Sequence, residues 1–236
     1  MNAIDVSSRL DVGYSLDWLR RNGIDSVLRY ISRSDSAKCI DAGELQALIN
    51  AGVSVGIIYE MDGGSPEFGG LAASINAAYG GYDGAYALRT LQALGVPQGT
   101  VVYFAVDTDV DNNDDINAYV IPYFQAAKQA MGGTYRIGAY GCGATCAAAL
   151  DTAGCDKAWL ANAPGWTAYR QFLDEGRAAI VQGKGPNLAD YDPDTIMDAD
   201  WGGFNALSAA TLIRGALPDV ARERPSPTSN HAWMTK

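Results

Sequence analysis

Carboxylates punctuate the short apolar runs of this sequence. Asp5 lies in the run from Ala3 to Val6, Glu60 follows Gly56-Ile57-Ile58-Tyr59, Asp107 and Asp109 follow Val101 to Val106, and Asp198 and Asp200 fall within Thr195 to Asp200. A carboxyl group at the end of a buried run is partly desolvated and close to others of its kind, and both effects raise its pKa. A protonated carboxylic acid beside an ionised one is what hydrolysis of a glycosidic bond requires. One protonates the leaving oxygen; the other activates water or stabilises an oxocarbenium-like centre. Tyr30, Tyr59, Tyr140 and Trp159 occupy similar places and offer flat apolar faces for sugar rings, and Gln182 ends another run. Taken singly, each acid has a plain reading as a polar strand end, helix cap or turn former. The set is more telling, because turn chemistry alone would spread such residues over both ends of the elements that carry them.

Other chemistries find little support. The only histidine, His231, sits in a polar C-terminal stretch, which argues against Ser-His-Asp, Cys-His or histidine-ligated metal sites. Cys142, Cys146 and Cys155 lie close together but match no zinc spacing, so buried, reduced thiols are expected. Asp107-Thr-Asp109-Val-Asp111-Asn-Asn113 spaces oxygens as a calcium loop does, yet lacks the glycine and terminal glutamate of an EF-hand. Neither a metal nor another cofactor is expected. A formal net charge of −10 disfavours nucleic acid and anionic membrane as partners. No run reaches the ~18 apolar residues of a membrane helix, and Met1 to Val6 enters an apparent strand without a basic or apolar leader. Cytoplasmic synthesis is therefore expected, with release by lysis or delivery by other machinery.

Strand-like runs alternate with helical patterns nearly from end to end, the signature of parallel strands joined by crossover helices. Eight strands are predicted: Ala3–Val6, Ser26–Ile31, Val53–Tyr59, Val101–Val106, Tyr135–Tyr140, Ala158–Ala161, Ala178–Gln182 and Thr195–Asp200. Helices are predicted over Ser15–Arg21, from a cap at Asp41 with Glu44 at the capping-box position, over Phe68–Leu94 with a break at Gly80-Gly81, over Asp114–Met131 and over Ala144–Asp151. Eight strands favour a single α/β domain of the (β/α)8 TIM-barrel type over an open doubly wound sheet, with irregular last units where a loop rich in Gly, Pro and Asp replaces a helix. Residues 1–221 are assigned to this domain and 222–236 to a flexible tail. In such a barrel the site lies at the C-terminal strand ends.

The motifs IDVS at Ile4, LRYI at Leu28, GIIYE at Gly56, VYFAVDTD at Val102, YRIGAYG at Tyr135, AWLA at Ala158, IVQG at Ile180 and MDADWGGF at Met197 succeed one another in a recognisable order. Over roughly residues 3 to 205 the chain resembles the bacterial glycoside-hydrolase-like barrel domains whose plan is similar to that of family 25 lysozymes. The resemblance implies that Asp5 takes the place of the strand-one Asp, Asp107 and Asp109 that of the D-x-E pair, Gln182 that of the strand-seven amide and Asp198 that of the strand-eight Asp. It fails at Asp109, which stands where the lysozymes carry the proton-donating Glu and is one methylene shorter. Glu60 is then expected to serve as the acid, with Asp107 or Asp109 as its partner and their negative charge raising its pKa. The implied activity is hydrolysis of bacterial cell-wall glycan, peptidoglycan above all, by a monomer acting as a lysin or delivered effector. The rival readings are a carbohydrate-binding barrel that has lost its chemistry, and a divalent-metal-dependent hydrolase.

Overall fold

The computed structural model describes residues 2–11, 15–33, 37–61, 63–66, 69–185 and 191–208. The expected tail from Arg222, with His231, lies outside the described residues, as does the expected helix start at Phe68. Eight strands close a barrel in chain order: β1 (Asn2–Val6), β2 (Ser26–Ile31), β3 (Ser54–Tyr59), β4 (Val101–Ala105), β5 (Arg136–Gly141), β6 (Lys157–Leu160), β7 (Ile180–Gln182) and β8 (Tyr191–Ile196). Between them lie α1 (Ser15–Arg21), α2 (Ala42–Asn50), α3 (Leu71–Ser74), α4 (Ala77–Leu94), α5 (Asn113–Asp115), α6 (Ile121–Met131), α7 (Gly143–Ala148) and α8 (Tyr169–Asp174), with π-helical turns at Ile116–Val120 and Ala149–Ala153. This is a TIM-type α/β barrel, as expected.

β1 to β7 are parallel, but β8 runs antiparallel to both of its neighbours. This corrects the expected strand at Thr195–Asp200. Only residues 183–190 separate β7 from β8, too few for the crossover that a parallel strand needs. The chain therefore doubles back, and Ile196 and the residues after it arrive at the opposite end of the barrel from the mouth.

Two further expectations change. Asp41 does cap α2, accepting from the Glu44 amide at 2.9 Å. The Glu44 side chain does not return the bond; it is fully buried and clasps Arg29 instead. And α4 runs unbroken through Gly80-Gly81, the interruption falling earlier, where Asn76 accepts from the Ala78 and Tyr79 amides.

Alternation along the strands sorts the core into two layers. Leu28, Ile58, Tyr103, Trp159 and Ile180 point into the barrel, while Val27, Ile57, Phe104 and Ile137 face the helices. The lower interior is plugged by aromatic rings that two glycines admit. A Cβ at Gly56 would lie 2.5 Å from the Trp201 ring, and one at Gly138 2.5 Å from that of Tyr103. The Tyr103 hydroxyl donates to the Trp201 carbonyl at 2.7 Å. With the floor filled, only the upper positions of the strands can form a site.

Candidate functional site

The inward parity set by the core carries polar groups to the mouth. Asp5 is 4% exposed and lies two residues beyond inward Ala3. Tyr30 donates to Asp5 Oδ1 and Gln182 Nε2 to Asp5 Oδ2, both at 2.8 Å. Gln182 Oε1 in turn accepts from the Tyr140 hydroxyl at 3.1 Å and from the Asn162 amide at 3.0 Å. Four strands, β1, β2, β5 and β7, are thus joined by one hydrogen-bonded chain. Burial raises the Asp5 carboxyl to about 6; the Gln182 and Tyr30 bonds oppose the shift and the Asp192 charge adds to it.

Asp107 continues the inward parity of Tyr103 and Ala105 on β4. Its side chain is reached by water, yet the protein around it removes enough solvent for partial burial to raise its carboxyl above the ordinary range. The negative charge of Glu60 acts in the same direction, while Lys38 and the nearby polar Tyr140 hydroxyl act against it. Glu60 is engaged differently. Its Oε2 is 2.8 Å from the Lys38 ammonium, which also lies 4.9 Å from the centroid of the Tyr30 ring.

β8 supplies the carboxylates that sequence reasoning missed. Asp194 lies opposite Ala3 and Asp192 opposite Asp5. Asp194 is 5% exposed, and its Oδ1 accepts from Trp159 Nε1 at 2.9 Å. Burial first, then the neighbouring charge of Asp5, pushes it well above the usual carboxylate range. Asp192 Oδ1 accepts from the Gly185 amide at 3.1 Å.

The structure therefore brings Asp5, Tyr30, Glu60, Asp107, Tyr140 and Gln182 to the mouth, and separates others from it. Tyr59 faces outward, 1% exposed, its hydroxyl donating to Asp83 Oδ1 at 2.7 Å, so its ring is closed to ligand. Strand alternation forbids Tyr59 and Glu60 from sharing a face. Trp159 is 1% exposed and fills the barrel interior, edge-on to Tyr103 and Tyr140. Asp198 and Asp200 stand at the far end: Asp198 pairs with Lys157 at 2.7 Å and Asp200 with Arg136 at 2.6 Å, residues at the starts of β6 and β5. The carboxylates that β8 itself sets beside β1 are Asp192 and Asp194. Asp109 accepts from the Thr167 amide at 2.8 Å and so fastens the loop after β6. The alternation Asp192, Asp194, Ile196 could have revealed β8, but Pro193 within it reads as a loop residue. Lys38, in the loop between β2 and α2, carried no periodic signal at all.

Among the described residues no group of three or more His, Cys, Asp or Glu is disposed to hold a metal ion. Among the described residues Cys142, Cys146 and Cys155 are free, buried thiols.

Fold and mouth together define a glycoside-hydrolase-like barrel with a carboxylate-lined opening. The profile of the Rv2525c-like, glycoside hydrolase-like domain matches residues 17–200, and the chain belongs to that family. The protein FadG of Bacillus subtilis (strain 168) is 33% identical over 129 residues, 52% of this chain but 21% of FadG, so the chain spans only a small part of that relative. The Tat-secreted protein Rv2525c of Mycobacterium tuberculosis, solved in complex with HEPES, superposes with a TM-score of 0.68 at 17% identity, covering 86% of this chain and 98% of that one. The modular autolysin LytC from Streptococcus pneumoniae, solved with a synthetic peptidoglycan ligand, superposes with a TM-score of 0.50 at 14% identity, covering 82% and 46%. At such identities the structural likeness is one of fold.

Proposed function

We propose that the mouth hydrolyses a glycosidic bond of bacterial cell-wall glycan, with Asp107 as the proton donor and Glu60 as the ionised partner. The observation that carries this reading is the asymmetry of the two acids. Asp107 is solvent-accessible and biased toward its protonated form, with Glu60 among the causes; Glu60 is clasped by Lys38. These roles reverse the expectation that Glu60 is the acid, since an ion-paired carboxylate is a poor proton donor. Asp107 would protonate the leaving oxygen while Glu60 activates water or stabilises the developing positive centre. The Tyr30 ring and the Tyr140 hydroxyl border the same space, and Asp5 holds both Tyr30 and Gln182 in register. Family membership supports a glycoside-hydrolase-like site, and the peptidoglycan ligand of the similarly folded LytC supports peptidoglycan as the substrate.

A second reading, binding without cleavage, is favoured by Asp109. It stands where the resembling lysozymes carry their acid, and its carboxylate is occupied by the Thr167 amide. Release of soluble fragments and new reducing ends from purified peptidoglycan separates the two. Wild-type turnover should fall as pH rises through the Asp107 titration, and Asp107→Asn should lower it by on the order of 10²-fold or more, with Glu60→Gln also impaired. Wild-type protein that cosediments with the glycan but releases nothing would establish the binding reading instead.

A further inference from the structure

Among the described residues, Asp194 Oδ2 is the buried side-chain polar atom that no hydrogen-bond donor reaches. Buried polar atoms are nearly always partnered, so an exception needs a reason. The register of the β1–β8 ladder sets the Asp5 carboxyl on the same face, diagonally across from Asp194, and each group bears on the other's ionisation. Two carboxylates cannot bond to each other, because neither carries a proton. One carboxylic acid and one carboxylate can.

The surroundings decide which of the two keeps the proton. Asp5 already accepts from Tyr30 on one oxygen and Gln182 on the other, as an anion would. Asp194 accepts only from Trp159, on Oδ1, which leaves Oδ2 as the natural hydroxyl. The charges that bear on Asp194 are those of Asp5 and Asp192, both negative and both opposing its ionisation. The other groups turned toward the pair from neighbouring strands are Tyr30, Tyr103, Tyr140, Trp159 and Gln182, all neutral when protonated in the ordinary way.

We propose that Asp194 is a carboxylic acid at neutral pH and donates from Oδ2 to the Asp5 carboxylate, the two forming a one-proton dyad that fixes Asp5 beneath the mouth. Asp194 is thereby a positioning residue. It holds Asp5, which orients Gln182, which accepts from Tyr140 beside Asp107. The inference deepens the reading of the mouth as a carboxylate site, but it does not depend on turnover.

Infrared titration of the ligand-free protein tests it, together with thermal melts of wild type, Asp194→Asn and Asp107→Asn. Near pH 7 the wild type should show carboxylic-acid absorption that Asp194→Asn loses and Asp107→Asn retains. The sign of the pH dependence is set by a folded-state pKa raised above the unfolded value. The native state keeps a proton that the unfolded chain has released, so wild-type stability falls as pH rises from about 4 toward the folded-state pKa. Asp194→Asn keeps a donor, its amide N–H, without the titration, and its melting temperature should lose much of that slope. A wild type with no carboxylic-acid absorption near neutral pH would overturn the dyad without any variant. So would an absorption unchanged in Asp194→Asn, or one removed only by Asp107→Asn. Since neither readout involves glycan, a failure of the hydrolase reading leaves them untouched.

Discussion

Arg29 and Glu44 are both completely buried, and each is the other's counter-charge. Arg29 Nε and Nη2 meet the two Glu44 oxygens at 2.7 and 3.0 Å, its Nη1 donates to the Val6 carbonyl, and Glu44 Oε1 also accepts from the Leu10 amide at 3.0 Å. This pair ties β1, β2 and α2 together just outside the strands that carry Asp5 and Tyr30. Removing one partner strands a charge in the core, so Glu44→Ala should cost about 3–5 kcal/mol in denaturant unfolding. A loss below about 1 kcal/mol would mean that Arg29 finds water or another acceptor. At this scale the sequence was half legible. Residue type announced an acidic mouth, and Asp5, Glu60, Asp107, Tyr30, Tyr140 and Gln182 do gather there. Alternation decides the remainder: Arg29 and Tyr59 are one step out of phase with Tyr30 and Glu60 and point to the helices. Asp194 and Lys38 went unseen because one sits beside a proline and the other in a loop.

α4 and α6 show how an element can be read correctly in type and wrongly in cause. Gly80-Gly81 reads as a helix break, yet α4 continues through it because α6 approaches backbone to backbone. A Cβ at Gly80 would sit 2.1 Å from the Tyr123 carbonyl oxygen, and one at Gly84 2.5 Å from that of Ala127. Spacing by four places both glycines on one helical face. From the same face region, Asp83 accepts from the Tyr123 hydroxyl at 2.9 Å and pairs with Arg33 at 2.6 Å. Gly81 has open space where its Cβ would be. The two adjacent glycines should therefore respond oppositely to the same change. Gly81→Ala should stabilise by up to about 1 kcal/mol through helix propensity, whereas Gly80→Ala must force the helices apart and should destabilise by about 1–3 kcal/mol. Equal responses in paired melts would sink the close-packing account. Elements set by periodicity and caps, such as α1, β2 and the Asp41-capped α2, were legible to within a residue. The reversal of β8 was not, because it depends on the length of a connection whose endpoints the local pattern hides.

The whole molecule carries a formal charge of −10, to which its mouth contributes Glu60 and Asp107 near Lys38, and Asp5 and Asp192 on the β1–β8 ladder. A cell wall with free carboxylates is itself a polyanion, so the proposed substrate and the protein repel each other until contact. That repulsion reaches over a Debye length, about 30 Å in 0.01 M salt and about 8 Å in 0.15 M. Contacts inside the mouth are short and less screened. Raising salt across this range should thus strengthen cosedimentation with purified peptidoglycan, chiefly by speeding association. Capping the glycan's carboxylates should remove most of the salt effect. This dependence is opposite in sign to that of a protein that grips an anionic polymer with basic residues. If binding instead weakens as salt rises, Lys38 or another cation must be gripping the polymer directly. Lys38→Met would then abolish the dependence, and Glu60, freed from its ion pair, would have to be reassigned.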